Sequence, residues 1–351
     1  MPDHPSALGR WEQRWHPLRR AWVVYCAHRN TRPWSGERGG GGKTSPAYDA
    51  KCYLCPRNTR AQGHVNPDYR DVFVFDNDYP VVGAEAPEIP GAWNARPLYR
   101  RERAAGLARV VCFDPRHNVT LSEMKLAGVV RVMDAWRSQV RELAAAPGIS
   151  FALIFENKGE MVGVSSPHPH CQIYATGFTF KHIEMELEAV AEHRRERAGN
   201  LFAAILEEER RDGTRIVAEN EHAIAFLPFF ARWSYETWIF PKKRRATLAE
   251  LDDQEVAGLA ALYQEVTRRL DLVEGSSFPY VMSLYQAPLK GGAYGDYHLH
   301  FVFLPPLRSP GLKKFPAGPE IGGGNFMSDT LPEDKARELR SVDLPSFKEA
   351  P

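Results

Sequence analysis

The stretch Ser165-Ser-Pro-His168-Pro-His170-Cys-Gln172-Ile-Tyr174 decides how this chain is expected to fold. Alternate side chains of an extended strand share a face, so His168, His170 and Gln172 are predicted to point the same way. Two imidazoles and a carboxamide on one face are unusual in a core. The two prolines donate no backbone hydrogen bond and therefore indicate a strand start or a sheet edge.

The residue types on this face suit phosphoryl chemistry. A neutral histidine such as His170 can attack phosphorus through one ring nitrogen if the other nitrogen donates a hydrogen bond, usually to a backbone carbonyl. Gln172 can supply a donor to the charge that develops on the phosphoryl oxygens. The alternative is a surface edge strand whose histidines only satisfy local hydrogen bonds.

The histidine strand closes the first of two similar series of segments. The first series comprises Val72–Phe75, Val110–Phe113, a helical stretch, Phe151–Phe155 and His168-Pro-His170. The second series comprises Arg215–Ala218, Glu236–Phe240, a helical stretch, Tyr280–Tyr285 and His298-Leu-His300. The order is the same although few residues are identical, and chance similarity is the alternative to a duplication.

A Thr-Leu-x-Glu sequence precedes each helical stretch and fits a capping box, at Thr120–Glu123 and at Thr247–Glu250. Apolar residues then recur at spacings of three and four, which predicts two amphipathic helices. We therefore expect an α+β fold in which a duplicated unit forms a largely antiparallel sheet with helices packed across it. The predicted segments are an N-terminal half (1–180), a linking helix (181–212), a C-terminal half (213–306) and a C-terminal arm (307–351).

Composition narrows the class of protein. The chain has 351 residues with 43% apolar residues, which is enough for a large core, and a net charge of only +1. No basic excess indicates nucleic acid as a partner, and no apolar run is long enough to span a membrane. The N-terminus lacks the apolar segment of a secretory signal, so a cytoplasmic location is expected. The odd number of cysteines, five, argues against a disulfide framework.

Several further motifs occur in a specific order along nearly the whole chain. They are Arg29, Arg32-Pro-Trp34, Cys52-x-x-Cys55, Asn77-Asp78, Asp114-Pro-x-His117, Glu156-Asn-Lys-Gly159, His168-Pro-His170-x-Gln172, Ser277-Phe-Pro-Tyr280, His298-x-His300 and Lys314-Phe315. With these motifs the sequence resembles the histidine-triad superfamily and, within it, the galactose-1-phosphate uridylyltransferase family. The hydrolase branch of that superfamily carries a third histidine where Gln172 stands, so the glutamine favours transfer over hydrolysis.

The resemblance implies a double displacement in which His170 takes a uridylyl group from UDP-glucose and passes it to galactose 1-phosphate. Ser165 and Gln172 would contact phosphoryl oxygens. The implied substrate-binding residues are Arg29, Arg32, Asn77, Asp78, Asn157, Gly163, Lys314, Phe315 and Glu320. Lys314 and Phe315 would come from the partner subunit of a homodimer. The family's sugar-reading arm has a Tyr-Glu pair, of which only Glu320 is present here, so sugar specificity stays open.

The resemblance also implies two metal sites. A lone Cys52-x-x-Cys55 could be a metal site, a redox pair or two buried thiols. The family pattern adds His117 and His168, which would complete a structural zinc site.

The second implied site consists of Glu186, or Glu184 as a fallback, with His298 and His300, and would hold iron or zinc. Its fourth family ligand is a histidine, but Tyr285 stands in that position. A neutral tyrosine is a poor ligand for either ion, so we expect this site to be weak, altered or empty. The alternative is a polar histidine pair hydrogen-bonded across a strand.

Two rival functions are kept. The first is a nucleotide phosphorylase or adenylyltransferase on the same scaffold, or uridylyl transfer to a different sugar 1-phosphate. The second is a catalytically silent nucleotide- or zinc-binding module, which the presence of both His170 and Gln172 disfavours.

Overall fold

The structure, a computed structural model, describes residues 11–27, 45–89 and 98–346. Its strands and helices in chain order are β1 (Trp11–His16), β2 (Ala21–Cys26), β3 (Phe73–Asp76), β4 (Gly106–Cys112), α1 (Leu126–Ala145), β5 (Phe151–Lys158), β6 (His170–Thr176), α2 (Lys181–Arg197), α3 (Leu201–Asp212), β7 (Ile216–Glu219), β8 (Ala223–Phe226), β9 (Thr237–Pro241), α4 (Asp253–Glu274), β10 (Tyr280–Tyr285), β11 (His300–Leu304), β12 (Leu307–Ser309), β13 (Leu312–Lys313), β14 (Met327–Ser328) and α5 (Pro332–Ser341).

One antiparallel sheet of nine strands organises the molecule, in the order β3-β4-β6-β5-β10-β11-β9-β8-β7. Its centre is the pair β5 and β10. From that centre the N-terminal strands run outward as β5, β6, β4 and β3, and the C-terminal strands as β10, β11, β9 and β8, with β7 beyond. The two halves therefore repeat one arrangement. This confirms the predicted α+β fold with a duplicated unit and a largely antiparallel sheet.

One face of the sheet is covered by α1 and α4. Apolar residues of both helices pack against the odd-numbered side of β6, where Cys171 and Ile173 are buried. The Trp136 indole lies fully buried at this contact and donates its N–H to the Cys171 sulfur at 3.1 Å. Burial of such large side chains is the main stabilising term of the fold, and truncating a buried tryptophan costs about 3–5 kcal/mol.

The opposite face differs between the two halves. In the C-terminal half, α2 and α3 cover β8, β9 and β11 and form a second apolar core with Phe202, Trp238 and Phe240. In the N-terminal half the same face carries the half-buried polar side chains of His170 and Gln172. The duplicated unit thus leaves this face accessible in only one of its two copies.

The predicted helix starts are wrong. Glu123 does accept hydrogen bonds from the backbone and hydroxyl of Thr120, at 2.9 and 2.8 Å, but α1 begins only at Leu126. Thr247 likewise precedes a short 3₁₀ turn, and α4 begins after Asp252. Both Thr-x-x-Glu sequences close a separate turn, because a capping motif satisfies the backbone of any first turn, whether or not a helix follows.

The predicted single linking helix is two helices. Ala198 adopts a left-handed conformation with φ 53°, which ends α2. Asn200 then begins α3 by accepting the backbone N–H of Ala203 at 3.0 Å. The charged sequence on both sides of Ala198 has a helical pattern, although the backbone turns at that residue. The proposed segment boundaries along the chain remain a prediction.

The C-terminal arm packs back on the start of the chain. β14 pairs in parallel with β2, and Glu333 of α5 forms buried ion pairs with Arg14 at 2.8 Å and Arg215 at 2.9 Å. Within the described ranges, none of the helices combines the length and apolar character needed to cross a bilayer.

Candidate active site

His170 is the first residue of β6 and lies on the sheet face opposite α1 and α4. Its cross-strand partner is Cys112, and Gln172 pairs with Val110 on one side and Phe155 on the other. Because strand residues alternate, His170 and Gln172 point to the open face while Cys171 points to the core. This agrees with the predicted orientation, and Pro167 and Pro169 lie just before the strand as expected.

The His170 ring is held by its own strand. Its Nδ1 atom lies 2.8 Å from the carbonyl oxygen of His168. A carbonyl oxygen can only accept, so Nδ1 carries the proton and Nε2 keeps its lone pair. Burial lowers the pKa of His170, which keeps the ring neutral at pH 7. The geometry therefore presents a neutral nucleophilic nitrogen, as the sequence analysis required.

The carboxamide of Gln172 is oriented by two donors. The Tyr174 hydroxyl donates to Gln172 Oε1 at 3.3 Å, and the Asn77 amide donates to the same oxygen at 3.4 Å. Their convergence on the oxygen leaves the Gln172 amide nitrogen as the donor available to a ligand. Tyr174 was missed by the sequence analysis, although its position two residues after Gln172 on the same strand face was a usable signal.

A glycine-bounded turn connects β5 to the histidine strand. Gly159 and Gly163 have positive φ values of 93° and 77°, which flank a single 3₁₀ turn. Glycine reaches this region without the cost that a Cβ atom imposes. Ser165 follows, exposed, with its hydroxyl 3.3 Å from that of Tyr53. Asn157 lies on β5 two residues after Phe155 and so shares the face of Gln172.

Asp78 lies on the loop after β3 and is held in place by a cation. Its carboxylate is 3.6 Å from the Arg60 guanidinium, which stacks over the Phe75 ring at 4.2 Å. Arg60 had no motif to mark it in the sequence. Arg29 and Arg32, the predicted phosphate-binding arginines, lie outside the described residues.

A second group lies beside the start of the histidine strand, next to Val110 and Cys112 of β4. The ligand atoms of Cys52, Cys55, His117 and His168 all lie within 4.8 Å of one another, and all four residues are buried. Cys55 Sγ is 3.6 Å from His117 Nδ1 and 3.5 Å from His168 Nδ1. Two thiols and two imidazoles in one compact group could hold a metal ion. The structure thus brings together all four residues of the first predicted site.

The surroundings of this group fit a cation. His168 Nε2 donates to the Asp114 carbonyl at 3.0 Å, which leaves Nδ1 as the ligand atom. Burial lowers the pKa of His168 to about 4, so the ring is neutral. The Leu54 backbone N–H donates to Cys52 Sγ at 3.3 Å, a contact that stabilises a thiolate. Burial raises the pKa of Cys55 to about 11, so a bound cation would be needed to hold that thiolate at neutral pH.

The second histidine pair is arranged like the first but is closed off. His300 Nδ1 lies 3.0 Å from the His298 carbonyl, which repeats the contact of His170 with His168. His300 is fully buried against Phe240, with ring centroids 4.6 Å apart. Glu186 faces this ring, with an oxygen 3.8 Å from His300 Nε2, whereas Glu184 pairs with Lys181 at the surface. In the described part of the chain, the Cys52 group is the only compact cluster found that could hold a metal.

The predicted sugar-binding residues lie on the C-terminal arm. Lys314 is buried and its ammonium is 3.5 Å from the Glu320 carboxylate. Phe315 is exposed, and the Lys313 ammonium lies 5.0 Å from its ring centroid. Among the described residues, no hydrogen bond of Lys314 or Glu320 reaches the His170 strand. Within one chain these two residues therefore stabilise the arm.

Comparison with known proteins gives consistent results across the whole chain. Family models described as the N-terminal and C-terminal domains of galactose-1-phosphate uridyl transferase match residues 7–179 and 186–350. The chain is 36% identical to galactose-1-phosphate uridylyltransferase of Haemophilus influenzae, over 99% of this chain and 97% of the relative. It is 38% identical to the enzyme of that name from Rattus norvegicus, over 93% and 86% of the two chains.

Solved structures give the same fold. A structure described as a uridylyltransferase superposes with a TM-score of 0.76 at 32% identity, over 94% of this chain and 97% of that chain. An ADP-glucose phosphorylase from Arabidopsis thaliana also has a TM-score of 0.76, over 95% and 99% of the two chains, but its 22% identity shows the fold alone.

Proposed function

This chain belongs to the galactose-1-phosphate uridylyltransferase family of transferases, and on that premise we propose that His170 carries the transferred uridylyl group. The substrates that we propose are UDP-glucose and galactose 1-phosphate. The single observation that carries the mechanism is the 2.8 Å contact between His170 Nδ1 and the His168 carbonyl, because it leaves Nε2 as a neutral nucleophile.

In the first half-reaction, His170 Nε2 attacks the α-phosphorus of UDP-glucose. A phosphorus–nitrogen bond forms while the bond from phosphorus to the bridging oxygen breaks, and glucose 1-phosphate leaves with the electron pair. The Gln172 amide donates to a non-bridging oxygen as negative charge accumulates there. In the second half-reaction, a phosphate oxygen of galactose 1-phosphate attacks the same phosphorus and releases His170, which forms UDP-galactose.

We further propose zinc as the ion of the Cys52, Cys55, His117 and His168 group, because two thiolates and two imidazoles suit closed tetrahedral zinc. Bound there, zinc would supply rigidity and no chemistry to the reaction. His168 connects this group to the nucleophile, since its ring contacts Cys55 and would be a zinc ligand, and its carbonyl orients His170.

The substrate contacts are proposals of the same kind. Asn77, Asp78, Asn157, Gly163 and Ser165 would seat the nucleotide, and the hydrogen bond from Asn77 to Gln172 supports this role for Asn77. Arg29 and Arg32 would neutralise phosphates. Lys314, Phe315 and Glu320 would contact the sugar nucleotide of the other subunit in a homodimer. This fits the hydrogen bonds of Lys314 and Glu320 in the described part of the chain, which stay within the arm.

The experiment is mass spectrometry of the intact protein after incubation with UDP-glucose, ADP-glucose or a diadenosine polyphosphate in separate samples. A uridylyl adduct that appears only with UDP-glucose and is removed by acid is expected, because a phosphorus–nitrogen bond is acid-labile. An adenylyl adduct instead would favour the phosphorylase or adenylyltransferase alternative.

Two variants test whether His170 carries the transferred group. His170→Gly should abolish the adduct and transfer, whereas His64→Gly, in an exposed loop, should retain both. Transfer that persists in His170→Gly, or the absence of an adduct with every nucleotide, would refute the covalent mechanism.

A further inference from the structure

Four charged side chains are buried near the second histidine pair, His298 and His300. Arg19 lies in the turn between β1 and β2, Glu186 in α2, and Arg232 and Glu236 just before β9. The two arginines are 6% and 7% exposed and the two glutamates are fully buried. Charged side chains are rarely buried unless they are paired, so these four form a site that needs a physical explanation.

Arg19 occupies the position next to the carboxylate that faces His300. Its Nη1 atom lies 3.0 Å from Glu186 Oε1, the same oxygen that is 3.8 Å from His300 Nε2. The guanidinium is fixed by a second bond, from Nη1 to the His182 carbonyl at 3.0 Å. It also lies over the Tyr285 ring, 5.4 Å from the centroid. A positive group thus already pairs with the carboxylate oxygen that faces His300.

The other carboxylate oxygen, Glu186 Oε2, accepts a hydrogen bond from the Tyr297 hydroxyl at 2.5 Å. A metal ion would therefore have to displace a guanidinium from one oxygen and compete with a phenol at the other. Tyr285 is no substitute ligand, because its hydroxyl is 3.0 Å from His182 Nδ1.

The charges of the site balance without a metal. Arg19 pairs with Glu186, and Arg232 lies 3.7 Å from Glu236. Adding a divalent cation would leave two net positive charges in a region that excludes water, which is strongly unfavourable. Among the described residues, Nε and Nη2 of both arginines have no hydrogen-bond partner. Glu186 Oε1, His298 Nε2 and His300 Nε2 also have no hydrogen-bond partner in the described part of the chain, but these three residues do not form a group of converging ligand atoms there. The arginine N–H groups beside them are donors, which attract anions or water and repel a cation.

We infer that the Arg19 guanidinium is a built-in cation that replaces the second metal ion of the family pattern, so that Glu186, His298 and His300 form a metal-free structural site. The Cys52 group is the contrast, since its four ligand atoms converge with no cation among them. The metal requirement of this chain is then confined to that group. The inference concerns binding and stability and is independent of the proposed transfer reaction.

The first test is metal content, measured by inductively coupled plasma mass spectrometry on protein grown with added zinc and iron. One equivalent per chain is expected, with almost none in the Cys52→Ser/Cys55→Ser variant and no change in His300→Gln. A second equivalent in the unmodified chain that disappears in His300→Gln would overturn the inference.

The second test removes the built-in cation. Arg19→Ser combined with Tyr285→His opens the space and adds a ligand, so this variant should take up a second equivalent of zinc. If the variant keeps the cooperative melt of the parent and still takes up no second ion, Arg19 is not what excludes the metal and the inference fails.

A stability comparison keeps the inference testable where the double variant does not fold. Arg19→Met leaves the Glu186 carboxylate buried without its partner and should lower the melting temperature by several degrees. The matched control is Arg20→Met, because the adjacent Arg20 pairs with Glu192 at the surface, with its own side chain 47% exposed. Equal melting temperatures for the two variants would refute the ion-pair role of Arg19.

Discussion

Tyr174→Phe tests the orientation of the Gln172 amide and removes one hydroxyl from the site. Among the described residues it loses the 3.3 Å hydrogen bond to Gln172 Oε1, whereas phenylalanine keeps the ring that packs edge-on against Phe155 with centroids 4.9 Å apart. With one of its two donors gone, the carboxamide can rotate and turn its oxygen toward the phosphoryl group. An oxygen there repels the developing charge that the amide nitrogen would stabilise.

The expected magnitude follows from the strength of a neutral hydrogen bond. Such a bond contributes about 0.5–1.5 kcal/mol net, so Tyr174→Phe should lower kcat/KM by about 2- to 10-fold. Asn77 still donates to Gln172 at 3.4 Å, which limits the loss. Removing both donors should approach the effect of Gln172→Ala.

The assay is the initial rate of uridylyl transfer from UDP-glucose to galactose 1-phosphate, with rapid-quench mass spectrometry for the rate of adduct formation. Both rates should fall by the same factor, because Gln172 acts on the phosphoryl group. Tyr294→Phe is the matched control, since its exposed hydroxyl makes a similar 3.3 Å bond to the Lys290 carbonyl.

A double-mutant cycle supplies the refutation. If Tyr174 acts only through Gln172, Tyr174→Phe should have no further effect in a Gln172→Ala background. An equal loss in both backgrounds, or no loss in the parent, would show that Tyr174 does not orient the amide.

Three further predictions concern the metal group, pH and the core. Cys55→Ser should release the metal and lower the melting temperature, and it should slow transfer because His168 would no longer be held in place. Metal content, thermal unfolding and the transfer rate measure these effects, and retained metal with full activity would contradict the prediction. Burial raises the pKa of Glu156 to about 7, against 4.5 for the free group. The unfolded chain therefore ionises first as pH rises, so this group's contribution to stability is full below pH 4.5 and is lost as pH rises through about 7. Glu156→Gln should remove about 3 kcal/mol of that loss, seen as a smaller difference between urea unfolding at pH 5 and pH 8 than in the parent. Trp136→Phe should destabilise the chain because it removes the indole N–H donor to Cys171, and an unchanged urea midpoint would contradict this.

Much of the fold could be predicted from local pattern. The order of strands and helices in both halves, the face on which His170 lies and the position of the prolines all depend on alternation and on short motifs. Helix ends were not predictable in the same way. The Thr120 and Thr247 motifs close turns rather than start helices. No sequence motif indicates that Ala198, inside a charged helical sequence, adopts a left-handed conformation.

Only part of the candidate site could be predicted from the sequence. The four members of the Cys52 group were named through the resemblance to a family, and the structure brings them within 4.8 Å. Arg60 and Arg19 could not be predicted, because each is an isolated arginine in a loop and belongs to no sequence motif. Their roles depend on contacts with Asp78 and Glu186, which are distant in sequence.

The sequence by itself determined the alternation that aims His170 and Gln172 at one face, because strand geometry repeats every two residues whatever surrounds it. Only the tertiary structure decided which of the two equivalent histidine pairs is accessible. The covering helices α2 and α3 and the Arg19–Glu186 pair close the second site through long-range packing, and long-range packing leaves no periodic trace in a single chain.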